Sequence, residues 1–309
     1  MPVLETSIKK EIETSHQEVE ISSSEIGQEE TPFQIIIKRF LKHRLAVAGS
    51  ILMLCIILIA IFAPVIAPKD PFHVYDEFSA SPSADHWLGT DQVGRDIFSR
   101  LVYASRVSML VGLGSVMIYT VIGTILGAVS GYFGGWIDIV LMRLTDVFMS
   151  FPGLMLILVV VSILGPSLWN IIWILGLLGW PSVARLVRGS VLSLKNVDFV
   201  KSGVVLGLST PRILFQHILP NAIAPILVQA TFGIAAAIIV EASLSFLGMG
   251  VQPPTASWGN MLTDAQSLTV LTSQPWLWVP PGLMIVLVVL GINFIGDGLR
   301  DALDPKTLK

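Results

Sequence analysis

Apolar runs long enough to cross a lipid bilayer recur along this chain, and that recurrence leaves few folds open. A crossing helix needs about 20 mostly apolar residues, and inside hydrocarbon every backbone N–H and C=O must find its partner within the segment. Six stretches meet that length: Leu45 to Ala67, about Ser108 to Tyr132, about Ile137 to Leu164, about Leu168 to Val187, Ala222 to Leu247 and about Trp276 to Ile295. The expected fold is an all-α polytopic membrane protein with about six transmembrane helices. Composition agrees, since 13% of residues are charged where about a quarter is usual in soluble domains.

Charge then orients the spans. The net charge of −3 is uneven: the first 31 residues carry eight glutamates against Lys9 and Lys10, so the remainder is mildly basic. Residues 1–30, rich in Glu and Ser, have little to bury and are expected to form a disordered acidic tail without an assigned role. They lack the basic start and short apolar core of a cleaved signal peptide, so the first span is expected to stay as an anchor. Residues 31–44 read as an interfacial elbow helix. Thr31-Pro32-Phe33-Gln34 offers a capping box; Phe33, Ile36, Ile37, Phe40 and Leu41 share one face, and Lys38, Arg39, Lys42 and Arg44 crowd the other.

Residues 45–67 are the first span and 68–105 an external loop centred on HWLGTDQVGRD, in which Arg95 and Asp96 are expected to pair. The membrane core occupies 106–309, with a second external loop, 248–275, that holds no Lys or Arg. The basic elbow, Arg185, Arg188, Arg300, Lys306 and Lys309 put both termini on the cytoplasmic side by the positive-inside rule. Gly123, Gly127, Gly131 and Gly135, four residues apart, predict a helix-packing seam in the second span. Arg143 and Asp146 are expected to pair locally near the cytoplasmic end of the third span. The lone Cys55 excludes an intrachain disulfide and reads as a buried, inert thiol.

One polar interruption stands apart. Asp198 to Asn221, within a segment spanning 195–221, reads as two short helices outside the bilayer. Gly207 can end the first, Ser209 or Thr210 with Pro211 can start the second, and Pro220 punctuates the beginning of the fifth span. Lys201, Arg212 and His217 mark its side as cytoplasmic.

Chemistry is sparse. The sequence has no phosphate-binding G-x-x-x-x-G-K-[ST] loop, no H-E-x-x-H pair and no G-x-S-x-G elbow, so no catalytic, cofactor-binding or metal-ligating residue is assigned. The five histidines are dispersed and read as structural. An intramembrane enzyme would have only Glu241, Arg143 and Asp146 to work with, and a stand-alone channel or scaffold would leave the 195–221 segment without a purpose.

HWLGTDQVGRDIFSRLVYASRVSMLVG, GYFGGWIDIVLMRLTDVFMSFPGL, ARLVRGSVLSLKNVDFV, EASLSFLGMGVQPPTASWGNML and NFIGDGLRDALDPK, in this order, resemble the permease subunits of dipeptide, oligopeptide and nickel ABC importers, specifically their C-type partner. The resemblance implies a type I importer permease whose cytoplasmic coupling (EAA-like) loop is 195–221. Asp198, Phe199, Val200, Lys201, Ser202, Gly203, Val204, Gly207 and Pro220 would then mark the ATPase-coupling element, with Phe199, Val200, Gly203, Val204 and Gly207 making the contact. Lys201-Ser202-Gly203 departs from the Glu-Ala-Ala after which the loop is named, so no salt bridge is transferred to Lys201. The implied partners are a homologous second permease, two ATPase subunits that bind ATP and Mg, an external solute-binding protein and the lipid bilayer, with no nucleic acid. Peptides are the expected cargo, and nickel the alternative.

Overall fold

The computed structural model describes residues 32–303; the acidic tail, Thr31 of the capping box, Lys306 and Lys309 lie outside them, as does the Phe33 side chain. All regular elements among the described residues are helical. They are α1 (Pro32–Lys42), α2 (Arg44–Ile61), α3 (Ala63–Ile66), α4 (Ile97–Phe133), α5 (Gly135–Ser150), α6 (Gly153–Leu164), α7 (Leu168–Leu178), α8 (Trp180–Leu194), α9 (Asp198–Val205), α10 (Thr210–Ile213), α11 (Leu219–Phe246), α12 (Trp258–Met261), α13 (Leu268–Ser273) and α14 (Pro275–Leu303). Among the described residues five helical stretches are long and apolar enough to cross a membrane, and six if the bent α5–α6 pair is one span.

The second span departs most from its expected length. α4 runs for 37 residues, about 55 Å at 1.5 Å per residue, so it begins at Ile97 and the preceding loop ends at Asp96 rather than at residue 105. Asp96 caps it, its carboxylate accepting the Ser99 amide at 2.8 Å. This helix is the central post of the bundle, packed against α2, α5, α7, α8 and α11. Its glycines make the approach to α8 possible: a Cβ on Gly123 would fall 2.6 Å from Val183 Cβ, one on Gly127 2.8 Å from Val187 Cβ, and one on Gly131 2.9 Å from Val191 Cβ. Gly135 lies elsewhere. With φ +55° beside Gly134 at +65°, and nothing within 4 Å of its Cβ position, it serves the α4–α5 turn and not the seam.

The third span is broken. α5 and α6 meet at 86°. Phe151, held extended at φ −94° and ψ 144° by the following Pro152, cannot continue the helix, and Pro152 has no N–H to donate. The fourth span, α7 with α8, continues to Leu194, beyond the expected Val187.

A second seam joins α2 to α14. A Cβ on Gly49 would sit 2.6 Å from the Gly291 carbonyl oxygen, and Gly298 receives Ala46. His43 caps α2 through an Nδ1 acceptor 3.1 Å from the Ala46 amide, and its Nε2 lies 3.5 Å from Asp301 near the end of α14. Cys55, expected to be buried, is exposed on the outer face of α2. Lipid can cover that face, so nothing requires the thiol to turn inward.

Candidate functional site

The polar interruption folds as one short helix followed by the extended root of the fifth span. α9 begins at Asp198, whose charge suits a helix N-terminus. It ends in a Schellman motif: the Gly207 amide donates to the Val204 carbonyl at 3.0 Å and the Leu208 amide to the Gly203 carbonyl at 3.1 Å. The motif needs a left-handed residue, and Gly207 supplies it at φ +77°. Nothing lies within 4 Å of where its Cβ would be, so its glycine is a matter of backbone conformation and not of close approach.

α9 is two-faced. Val200 is 1% exposed and Gly203 is buried, with the Leu208 side chain 3.2 Å from the Gly203 Cβ position. Both turn into the chain's own core, which removes them from the outward contact expected of them. The outward face is Phe199, Val204, Val205 and Leu206, the last two 87% and 79% exposed, with Lys201 and Ser202 also exposed. Val205 and Leu206 were not among the expected contacts. They follow directly from the helix period once Val200 is known to point inward.

The second short helix is not separate. α10 passes through a π turn, Leu214–Ile218, into α11, so Thr210 to Phe246 forms one 37-residue helical stretch. Pro220 therefore does not punctuate the start of the span. It withdraws one donor, the Leu219 amide reaches back to the Leu214 carbonyl in the wider π register, and the Asn221 side chain donates to the His217 carbonyl at 2.7 Å. The extra residue keeps Ile213, Ile218, Ala222 and Ile226 all on the buried face.

Behind α9 the chain is clamped. Arg188 on α8 donates to both Asp138 oxygens, at 2.5 and 2.6 Å, and the Ser130 hydroxyl of α4 donates to Oδ1 at 2.5 Å. Lys195, three residues before α9, donates to the Tyr132 carbonyl at 2.5 Å near the C-terminus of α4, where helix carbonyls lack partners. Arg143 lies 3.8 Å from Asp146 as expected, but Arg185 of α8 makes the shorter contact to Asp146, 2.9 Å. Three helices are thus tied together at the root of α9. Sequence reading missed Asp138, although Arg185 and Arg188 three apart pointed to an acidic partner on one face.

The opposite end of the bundle is closed by the two long loops. Arg95 pairs with Asp91 at 2.8 Å and not with Asp96, because the Asp91 carboxylate also accepts the Val93 and Arg95 amides. Asp96 instead holds His86 Nδ1 at 2.8 Å. Arg100 reaches the Pro71 and Pro254 carbonyls, at 3.3 and 3.4 Å, and so bridges the loops. Asp264 lines the cavity between them, and its carboxyl is pushed above the usual range, first by burial and then by the negative Asp91. Deeper, fully buried Glu241 accepts from Ser245 Oγ at 2.7 Å and Ser257 Oγ at 2.8 Å through one oxygen, which fastens the second loop onto α11.

Residues 123–309 match the family model described as binding-protein-dependent transport system inner membrane component, and residues 31–82 match the N-terminal TM domain of oligopeptide transport permease C. The chain is 45% identical to a dipeptide transport system permease protein of Alkalihalophilus pseudofirmus, over 89% of its own length and 90% of the relative's. It is 43% identical to an oligopeptide transport system permease protein of Bacillus subtilis over 88% of each chain, and 43% identical to a glutathione transport system permease protein of Pectobacterium atrosepticum over 89% and 92%. Matches of this identity and coverage, on a bundle of membrane-length helices with a short two-faced helix at one end, make the chain a member of the binding-protein-dependent transport system inner membrane component family, as a C-type ABC importer permease.

Proposed function

We propose that this chain is one transmembrane subunit of an ATP-driven importer of di- and oligopeptides. A second, homologous permease completes the pathway, two separate ATPase subunits bind ATP and Mg and hydrolyse the nucleotide, and an external solute-binding protein delivers cargo. The names of the relatives favour peptides over nickel. Basic residues gather at the α9 end, with Arg185, Arg188, Lys195, Lys201, Arg212 and Arg300, which supports placing that end and both termini in the cytoplasm.

The observation that carries the reading is the outward face of α9. Three exposed apolar side chains on an eight-residue helix, with Leu206 at its C-cap, lie at the polar end of the bundle and call for a protein cover. A groove on the ATPase supplies it. When the ATPases close on ATP, α9 moves with them, and the Arg188–Asp138 and Lys195–Tyr132 ties carry that motion into α8, α5 and α4. The chain contributes a passage and a mechanical link, and no covalent step.

The test is affinity purification of the chain with Val205→Asp and Leu206→Asp together. The variant should stay in the membrane and lose its ATPase subunits. ATPase recovered at wild-type stoichiometry, or an importer in proteoliposomes that carries radiolabelled nickel and no dipeptide, would sink the reading.

A further inference from the structure

The broken third span leaves a cavity of about 410 Å³ beside it, bounded by Phe148, Ser182, Tyr119 and one face of α11. That face continues toward the α9 end into a second cavity of about 330 Å³, walled by Leu186, Pro225, Gln229 and Arg300. Gln229 lines both. From Pro225 through Gln229, Gly233 and Ala236 to Val240, a single stripe of α11 about 22 Å long therefore borders both cavities.

Two polar groups that line the larger cavity, one on this stripe and one on α4, are unspent. The half-buried Gln229 carboxamide and the Tyr119 hydroxyl make no hydrogen bond with any described residue. Polar groups at membrane depth are costly unless they pair or face water, so unpaired ones beside a cavity mark a path rather than a packing fault. Tyr119 is aimed there at some structural cost. Its ring lies between Gly179, whose Cβ would fall 2.6 Å from Cδ1, and Gly233, whose Cβ would overlap the hydroxyl. Glycine at two places, the α7–α8 junction and the middle of α11, admits it.

We propose that this face of α11, with Tyr119, is this subunit's wall of the cargo passage, and that Gln229 and the Tyr119 hydroxyl contact the peptide main chain. The larger cavity has no Asp, Glu, Lys or Arg in its lining. A carboxamide and a hydroxyl can each donate and accept, which matches the C=O and N–H that every peptide presents. Without a fixed charge the larger cavity neither selects nor traps side chains, as a passage for varied peptides requires; Arg300 borders only the smaller cavity at the α9 end. Contacts this few also keep binding weak enough for release.

The inference rests on the peptide reading above, and the experiment separates the two. The complete importer is purified with its partners in a Cys55→Ser background, since Cys55 is this chain's one cysteine. Gln229→Cys, Ala236→Cys and, as a control on the exposed apolar face of α14, Leu290→Cys are treated in nucleotide-free liposomes with a charged, water-soluble methanethiosulfonate. Positions 229 and 236 should react several-fold faster than 290, and saturating dipeptide should slow both. Gln229→Ala should lower kcat/KM for dipeptide uptake roughly five- to tenfold, the loss of about one hydrogen bond. Dipeptide uptake by the Cys55→Ser importer with 229 and 236 labelled at the control rate, or uptake unchanged in Gln229→Ala, would overturn the inference alone. Fast labelling without any dipeptide uptake would overturn the peptide reading and keep a water-filled passage on this face.

Discussion

Arg188 holds both oxygens of Asp138 with the Nε and Nη2 donors of one guanidinium edge, across the gap between α8 and α5, below the segment that leads to α9. A bidentate pair fixes orientation as well as distance. Asp138→Asn keeps the shape and removes the charge, so it should lower thermal stability by about 1–3 kcal/mol and reduce uptake more than ATP hydrolysis. Thermal shift and paired transport and ATPase assays check this. Arg188→Lys should not rescue, because an ammonium cannot make the two parallel contacts.

Gly207 is required by its φ of +77° and by nothing else nearby. Gly207→Val should cost about 1–2 kcal/mol locally, distort the end of α9 and uncouple ATP hydrolysis from uptake, while Gly207→Asn should keep most activity. Normal transport and stimulated ATPase activity in Gly207→Val would contradict this account of the turn.

Gly127 faces the opposite constraint, with Val187 and the Ala184 carbonyl where a side chain would go. Gly127→Leu should abolish assembly of a stable bundle, overpacking by well beyond the about 1–3 kcal/mol of a single added methylene. Gly135→Leu, eight residues on and past the end of α4, has open space and should cost mainly its backbone strain. Membrane yield and melting temperature distinguish the two.

Ser257→Ala removes one of two donors to Glu241 and should loosen the second loop by about 1–3 kcal/mol. The effect should appear as faster protease cleavage within 248–274 and as weaker stimulation of ATPase activity by the binding protein. Glu241→Gln, which retains an acceptor in a similar shape, should be milder than Glu241→Ala.

Asp264 gives a pH signature. Its folded-state pKa is raised, so the folded loop holds a proton more tightly than the unfolded chain does. Its stabilising contribution is complete below the usual carboxylate value of about 4 and is lost as pH rises through the raised value. Asp264→Asn should flatten that dependence and leave the loops firmer at neutral pH, as read by melting temperature from pH 4 to 8.

Periodicity and length revealed the spans because hydrocarbon forbids unpaired backbone, and Gly123, Gly127 and Gly131 were legible because small residues on one face have few other uses. The break at Phe151–Pro152 was missed although Pro152-Gly153 can stop a helix, because α5 and α6 together have the length and hydropathy of one crossing. Val200 and Phe199 are equally apolar neighbours, and only packing shows that one is core and the other surface. The Asp138–Arg188 and Glu241–Ser257 pairs are 50 and 16 residues apart, on different elements, so no local pattern encodes them.

The π turn at Leu214–Ile218 holds one residue more than a plain helix would, while leaving the faces before and after it aligned. The extra residue is taken up within one wider turn. Removing it would leave Ile213 and Ala222 on the core, whereas an excision elsewhere in the rod would turn every downstream side chain by about 100°. This turn is thus the place where the rod can lose a residue and keep its aim.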